Sequence, residues 1–156
     1  MHKTLIKFLL SGLGIGFIPF APGTWGSLEG LVLIWFVSKS DILPVADLLV
    51  FFVLLLITAT LINYHLKIDG NKDKDPSYIV MDEVLGIFVT FIALPITWIT
   101  ALIGFILFRL FDIIKPFGIR RLEKIEGATG IILDDIVAGL LARIILTVYI
   151  WLGAPI

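Results

Sequence analysis

Cysteine is absent from the 156 residues of this chain. That absence excludes disulfides, thiolate metal ligands and a cysteine nucleophile, and it leaves the redox character of the compartment unreadable. Histidine is scarce, with His2 near the terminus and His65 alone in NYHLK. Chemistry that passes a phosphoryl group through paired histidines is therefore not expected, and His65 reads as a membrane-interface residue. Charge is scarce as well: Asp, Glu, Lys and Arg make up 16% of the chain and the formal net charge is −1. Without a global basic field, nucleic acid is not an expected partner. There is no pattern of alternating strands, no internal repeat and no interdomain linker.

What remains is apolar. Hydrophobic residues make up 59%, and mean hydropathy is +1.08. A soluble domain of this length has too little interior to hide so much apolar surface, so residues 1–156 are expected to form a single domain in a bilayer. Uncharged apolar stretches run over residues 8–28, 48–62, 84–108 and from 136 onward. Backbone polar groups in lipid must be satisfied within their own segment, so all four are expected to be helical. The expected fold is all-α, a compact membrane-embedded bundle of about five to six helices, some of them half-length or hairpin-like. The N-terminus opens like a signal peptide, with Lys3 and Lys7 before an apolar run. Pro19, Pro22 and spaced glycines disturb that run and no clear cleavage site follows, so it is read as part of the fold.

Arg109, Lys115, Arg120, Arg121 and Lys124 cluster in one polar segment, and nothing basic follows Arg143. The segment is expected on the cytoplasmic side, with the C-terminus outside. Residues 84–108 are long enough for a full crossing, at about 1.5 Å per residue against a hydrocarbon core of ~30 Å. A single crossing would put Glu83 and Asp112 on opposite faces. Pro95, in ALPIT with Thr97 and Thr100 close by, can instead break the helix and return the chain as a hairpin, which is the favoured topology.

Two acidic pairs stand at the thresholds of apolar runs: Asp82-Glu83 before Val84, and Asp134-Asp135 before Ile136. Each is followed about one turn later by glycine, Gly86 and Gly139, which lets another helix approach closely. Adjacent helical residues point about 100° apart, so each pair can turn one carboxylate inward and one sideways. As isolated pairs they would also serve as helix N-terminal caps favoured by the dipole. Two such pairs at depth are costly, at ~3 kcal/mol per carboxylate, unless something compensates them. A hard divalent cation with oxygen ligands is the economical compensation. Arg109, Asp112 and Lys115, spaced by three on one helix, add a basic and acidic cluster. Carboxylates, a metal and basic groups together suit phosphoryl chemistry, in which metal activates water and cations hold phosphate. Other motifs fail. DGNKDKDPSYIV begins like an EF-hand through Asp69, Asn71, Asp73 and Asp75, but Lys74 replaces its glycine and Val80 its closing glutamate, leaving a solvated loop. DIVAGLLAR opens like the CDP-alcohol phosphotransferase signature, but Ala138 stands where that signature needs its second aspartate.

Four blocks in order, APGTWGS at 21–27, IVMDEVLG at 79–86, FRLFDIIKPFGIRRLE at 108–123 and GIILDDIVAG at 130–139, resemble the phosphatidylglycerophosphatase A family of bacterial lipid phosphatases over nearly the whole chain. The resemblance implies an all-helical enzyme of the bacterial inner membrane. It would act at the cytoplasmic face, using Mg²⁺ to remove the terminal phosphate of phosphatidylglycerophosphate. It also implies that Asp82, Glu83, Asp134 and Asp135 form the catalytic and metal shell, supported by Asp112. Lys115 and Arg109 would hold the substrate phosphate, with Thr24 and Arg120 as further contacts. The family pattern commonly carries a second proline one residue after KP, where this chain has Gly118; that loosens the turn near Arg120 and Arg121.

A competing class is a small cation transporter or channel subunit, whose acids would be spread through the bilayer depth; a weaker one is a purely structural subunit. Cysteines placed singly at positions 83 and 112 should label from the same membrane face. Labelling from opposite faces would favour the transporter and exclude the hairpin.

Overall fold

A computed structural model describes residues 2–39, 45–69 and 76–153. Among them the chain is all-helical, as expected: α1 (His2–Leu10), α2 (Pro22–Ser38), α3 (Ala46–Asp69), α4 (Met81–Phe91), α5 (Trp98–Ile114) and α6 (Ala128–Trp151), with 3₁₀ segments at Ile15–Phe17 and Pro116–Lys124. The stretch 70–75, which carries most of the EF-hand-like motif, lies outside the described residues. Asp69 closes α3.

The first apolar stretch is not one helix. α1 ends at Leu10, and Gly12, Leu13 and Gly14 take successive left-handed conformations at φ 56°, 53° and 104°. Ser11 holds this turn, donating to the Phe8 carbonyl and accepting from the Gly14 N–H at 3.1 Å. The run of apolar residues hid the glycine spacing, which breaks the helix. Pro22 then opens α2, where its fixed φ suits the first turn.

Residues 84–108 divide as the hairpin topology requires. α4 ends at Phe91, Ala93 is left-handed, and α5 starts after Pro95 behind a reciprocal Thr97–Thr100 capping box. The exposed backbone groups of the turn are met by neighbours. The Arg143 guanidinium on α6 donates to the Ile92 carbonyl, Asp47 on α3 accepts from the Ala93 N–H at 3.1 Å, and Thr100 donates to the Pro95 carbonyl at 2.8 Å. Irregular backbone in apolar surroundings is tolerated where protein supplies such partners.

α4 is the centre of the molecule. It is short and, past its acidic first turn, largely apolar, and residues 84–91 are all buried, the pattern of a helix enclosed by others. α6 lies against it through two glycines. A Cβ on Gly139 would stand 2.2 Å from the Gly86 carbonyl oxygen, and one on Gly86 would stand 2.8 Å from that of Asp135. The close approach expected from Gly86 and Gly139 is therefore their mutual contact. One helix, α3 over Ala46–Ile68, is long and apolar enough to cross a membrane among the described residues. His65 differs from expectation: it is buried, with Nε2 2.7 Å from the Tyr78 hydroxyl. Its polar edge is satisfied by tyrosine instead of by the membrane interface.

Gly139→Ala should push α4 and α6 apart, because the obstruction is rigid backbone, and should destabilise the protein by about 1–3 kcal/mol. Thermal unfolding in mild detergent checks this; an unchanged melting temperature would contradict the packing.

Candidate active site

The break at Pro95 returns α5 beside the start of α4, so the acidic and basic clusters meet at one end of the bundle. Asp82 and Glu83 lie in the first turn of α4. Asp134 and Asp135 do not begin a helix. α6 starts at Ala128, so they sit in its second turn, where capping cannot explain them. GIIL, apolar and glycine-led, continues the helix upstream, and Asn63 of α3 accepts from the Ala128 N–H at 3.1 Å in place of a local cap.

Oxygens of Asp82, Glu83 and Asp135 lie within 4.8 Å of one another, with Asp82 and Asp135 buried and Glu83 half-buried. The Gly86–Gly139 contact sets this convergence, because it fixes the register of α4 against α6. Asp134 points sideways, as the 100° step between neighbours requires. It bonds Lys115 Nζ at 2.5 Å, and Lys115 also meets Glu123 at 2.6 Å. Of the four expected carboxylate ligands, the structure brings three together and gives the fourth to lysine.

Lys115 ends α5 in a left-handed conformation, φ 50° and ψ 58°. That turns it away from the face it would share with Asp112 and across to α6, so the Asp112–Lys115 spacing does not become a pair. Burial pulls the Lys115 ammonium down, but the hydrogen bonds it donates to Asp134 and Glu123, with their charges, outweigh it and leave the group above its ordinary value. Arg109 does pair with Asp112, at 2.6 Å.

α2 completes the site. Gly23, beside its N-terminus, leaves room that a Cβ would fill, at 2.0 Å from Glu83 Oε1 and 3.3 Å from Arg109 Nη1. Ser27, buried one turn on, donates to the Gly23 carbonyl at 2.8 Å and accepts from Arg109 Nη1 at 3.2 Å. Thr24 occupies this same turn, between Gly23 and Ser27. Sequence reasoning stopped at Thr24 and missed Gly23 and Ser27, although both lie in the quoted block APGTWGS; the missing signal was the position of Arg109. Arg120 stands apart, exposed on the 3₁₀ segment.

Three atoms bear on what the site holds. Glu83 Oε2, Arg109 Nε and Asp134 Oδ1, the oxygen that Lys115 does not take, are buried without a hydrogen-bond partner. An unsatisfied acceptor within a knot of carboxylates fits a cation, and an unsatisfied guanidinium N–H alongside fits an anion. Together with Asp82 and Asp135, Glu83 could hold a divalent metal through oxygen ligands alone.

An acidic cluster that could hold a cation, with an arginine and a lysine nearby at one end of an apolar helical bundle, fits a helical hydrolase of phosphate esters carried on lipid. The chain belongs to the phosphatidylglycerophosphatase A family, whose model matches residues 8–150, and it is a phosphatase. Phosphatidylglycerophosphatase A of Haemophilus influenzae is 39% identical to it over 90% of this chain and 85% of its own length. The enzyme of the same name from Escherichia coli is 35% identical, over 88% and 79%. A Bacteroides thetaiotaomicron protein with the provisional name phosphatidylinositol-3-phosphatase is 36% identical, over 90% and 91%. No solved structure matches the chain.

Asp135→Asn should weaken divalent-cation binding by about tenfold or more, and Asp134→Asn by less. Titration with Mn²⁺, reading free ion by its electron spin resonance, separates them. Equal losses would return Asp134 to the ligand set.

Proposed function

We propose that this protein hydrolyses the terminal phosphate of phosphatidylglycerophosphate, with Mg²⁺, to phosphatidylglycerol and inorganic phosphate at the cytoplasmic face of a bacterial inner membrane. The observation that carries the proposal is the convergence of Asp82, Glu83 and Asp135 beside Arg109 and Lys115. The names of two relatives support the substrate. The apolar helix Ala46–Ile68 and the exposed apolar side chains of α3, α5 and α6 support the membrane setting.

A divalent cation, which the three carboxylates would hold, would supply Lewis acidity and offset negative charge on the phosphoryl oxygens. The chain's own groups do the rest. Arg109 offers the unpaired Nε–H to a phosphate oxygen while Asp112 and Ser27 fix its plane. Lys115, oriented by Asp134 and Glu123, brings a second positive charge to the equatorial oxygens. A carboxylate of the cluster takes the proton of the attacking water. The acyl chains stay in the leaflet alongside, with the phosphate at headgroup level. A transporter would need acids at several depths; these acids gather at one end, which favours the enzyme.

A second substrate, phosphatidylinositol 3-phosphate, is raised by the name of the Bacteroides relative. It offers the same phosphomonoester on a bulkier headgroup.

Purified protein should release phosphate from phosphatidylglycerophosphate with Mg²⁺ and stop with excess chelator. Faster release from phosphatidylinositol 3-phosphate would transfer the assignment to that lipid, and no release from either by folded protein would overturn it. Lys115→Ala should lower kcat by about a hundredfold, the scale of losing one charged stabiliser in a dry site.

A further inference from the structure

The segment that follows Lys115 carries a feature that the site does not use. Phe117 is 90% exposed, yet its backbone is left-handed at φ 56° and ψ 21°. A bulky side chain in that region is strained, and strain persists where it serves a function. Gly118 follows at φ 86°. A proline there, locked near −65°, could not form this turn. Ile119 anchors the segment from beneath, 4% exposed. Around Phe117 the exposed charges are Arg120, Arg121 and Lys124, against Glu126, while Glu123 is engaged with Lys115.

We propose that residues 116–125 form a docking surface for anionic phospholipid, with the Phe117 ring set among the headgroups of the leaflet and Arg120, Arg121 and Lys124 on surrounding lipid phosphates. This deepens the membrane-enzyme assignment and rests on it. The occupant is argued from charge and position. An aromatic ring flanked by basic side chains is complementary to an anionic interface, and Lys115 ties the segment to the level of the catalytic carboxylates. Arg120, expected from sequence to touch the substrate's phosphate, is placed instead for the phosphates of neighbouring lipids. Glu123 shares Lys115 with Asp134, so the surface that meets the leaflet also buttresses the phosphate-binding lysine.

The chain has no cysteine, so Phe117→Cys creates a unique site for a nitroxide label. In nanodiscs of mixed phosphatidylcholine and phosphatidylglycerol, the label should be at least severalfold more accessible to oxygen than to an aqueous nickel reagent, relative to a label at exposed Thr129. Neutralising Arg120, Arg121 and Lys124 to serine, or using phosphatidylcholine alone, should raise its nickel accessibility. Accessibility equal to that at Thr129, or indifference to both changes, would overturn the proposal. Spin–spin broadening, which would put a second copy of the chain there, would also overturn it. The readout needs no turnover, so it fails or succeeds separately from the substrate assignment.

Discussion

Three carboxylates do not gather within 4.8 Å by their own attraction; they repel. What holds Asp82, Glu83 and Asp135 together is the approach of α4 and α6 through Gly86 and Gly139, where helix backbones touch without side chains between them. Dispersion and close packing across that contact supply the stabilisation, and the acids ride on it. Everything else at the site is arranged around this forced proximity. Arg109 and Lys115 lower the local negative charge from the flanks, and Gly23 leaves Glu83 space that any other residue would fill.

The surrounding groups divide into two positive arms. One arm runs from α2 through Ser27 to Arg109 and Asp112; the other runs from the 3₁₀ segment through Glu123 to Lys115 and Asp134. Each basic group is held by more than one acceptor. That restricts its rotamers before an anion arrives and reduces the ordering cost at binding. The acids proposed to hold a cation and the bases proposed to grip phosphate therefore share one scaffold.

Much of this was legible in the sequence. The long apolar runs pointed to an all-helical chain, Pro95 marked the break, and the paired acids with glycine a turn later marked the contact of α4 and α6. The rest was hidden for physical reasons. The glycine turn after Leu10 sits in an unbroken apolar run, so hydropathy sees no boundary there. The start of α6 at Ala128 is capped by Asn63 from another helix, and a cap in trans leaves no local signature. Lys115 changes direction through a left-handed backbone at a residue that seldom adopts one, so helical spacing misassigned its partner. Ser27 and Gly23 acquire a role only once α5 folds back to bring Arg109 beside them.

Arg143 gives the chain an order of assembly. The turn after α4 exposes the Ile92 carbonyl, and the donor that satisfies it lies on the last helix. During synthesis α4 and α5 emerge before α6, so this hairpin gains its guanidinium donor only when α6 arrives. The same helix brings Asp134 and Asp135. Completion of this turn and completion of the acidic cluster are thus one event, and a nascent chain carries no assembled phosphatase until α6 has been made.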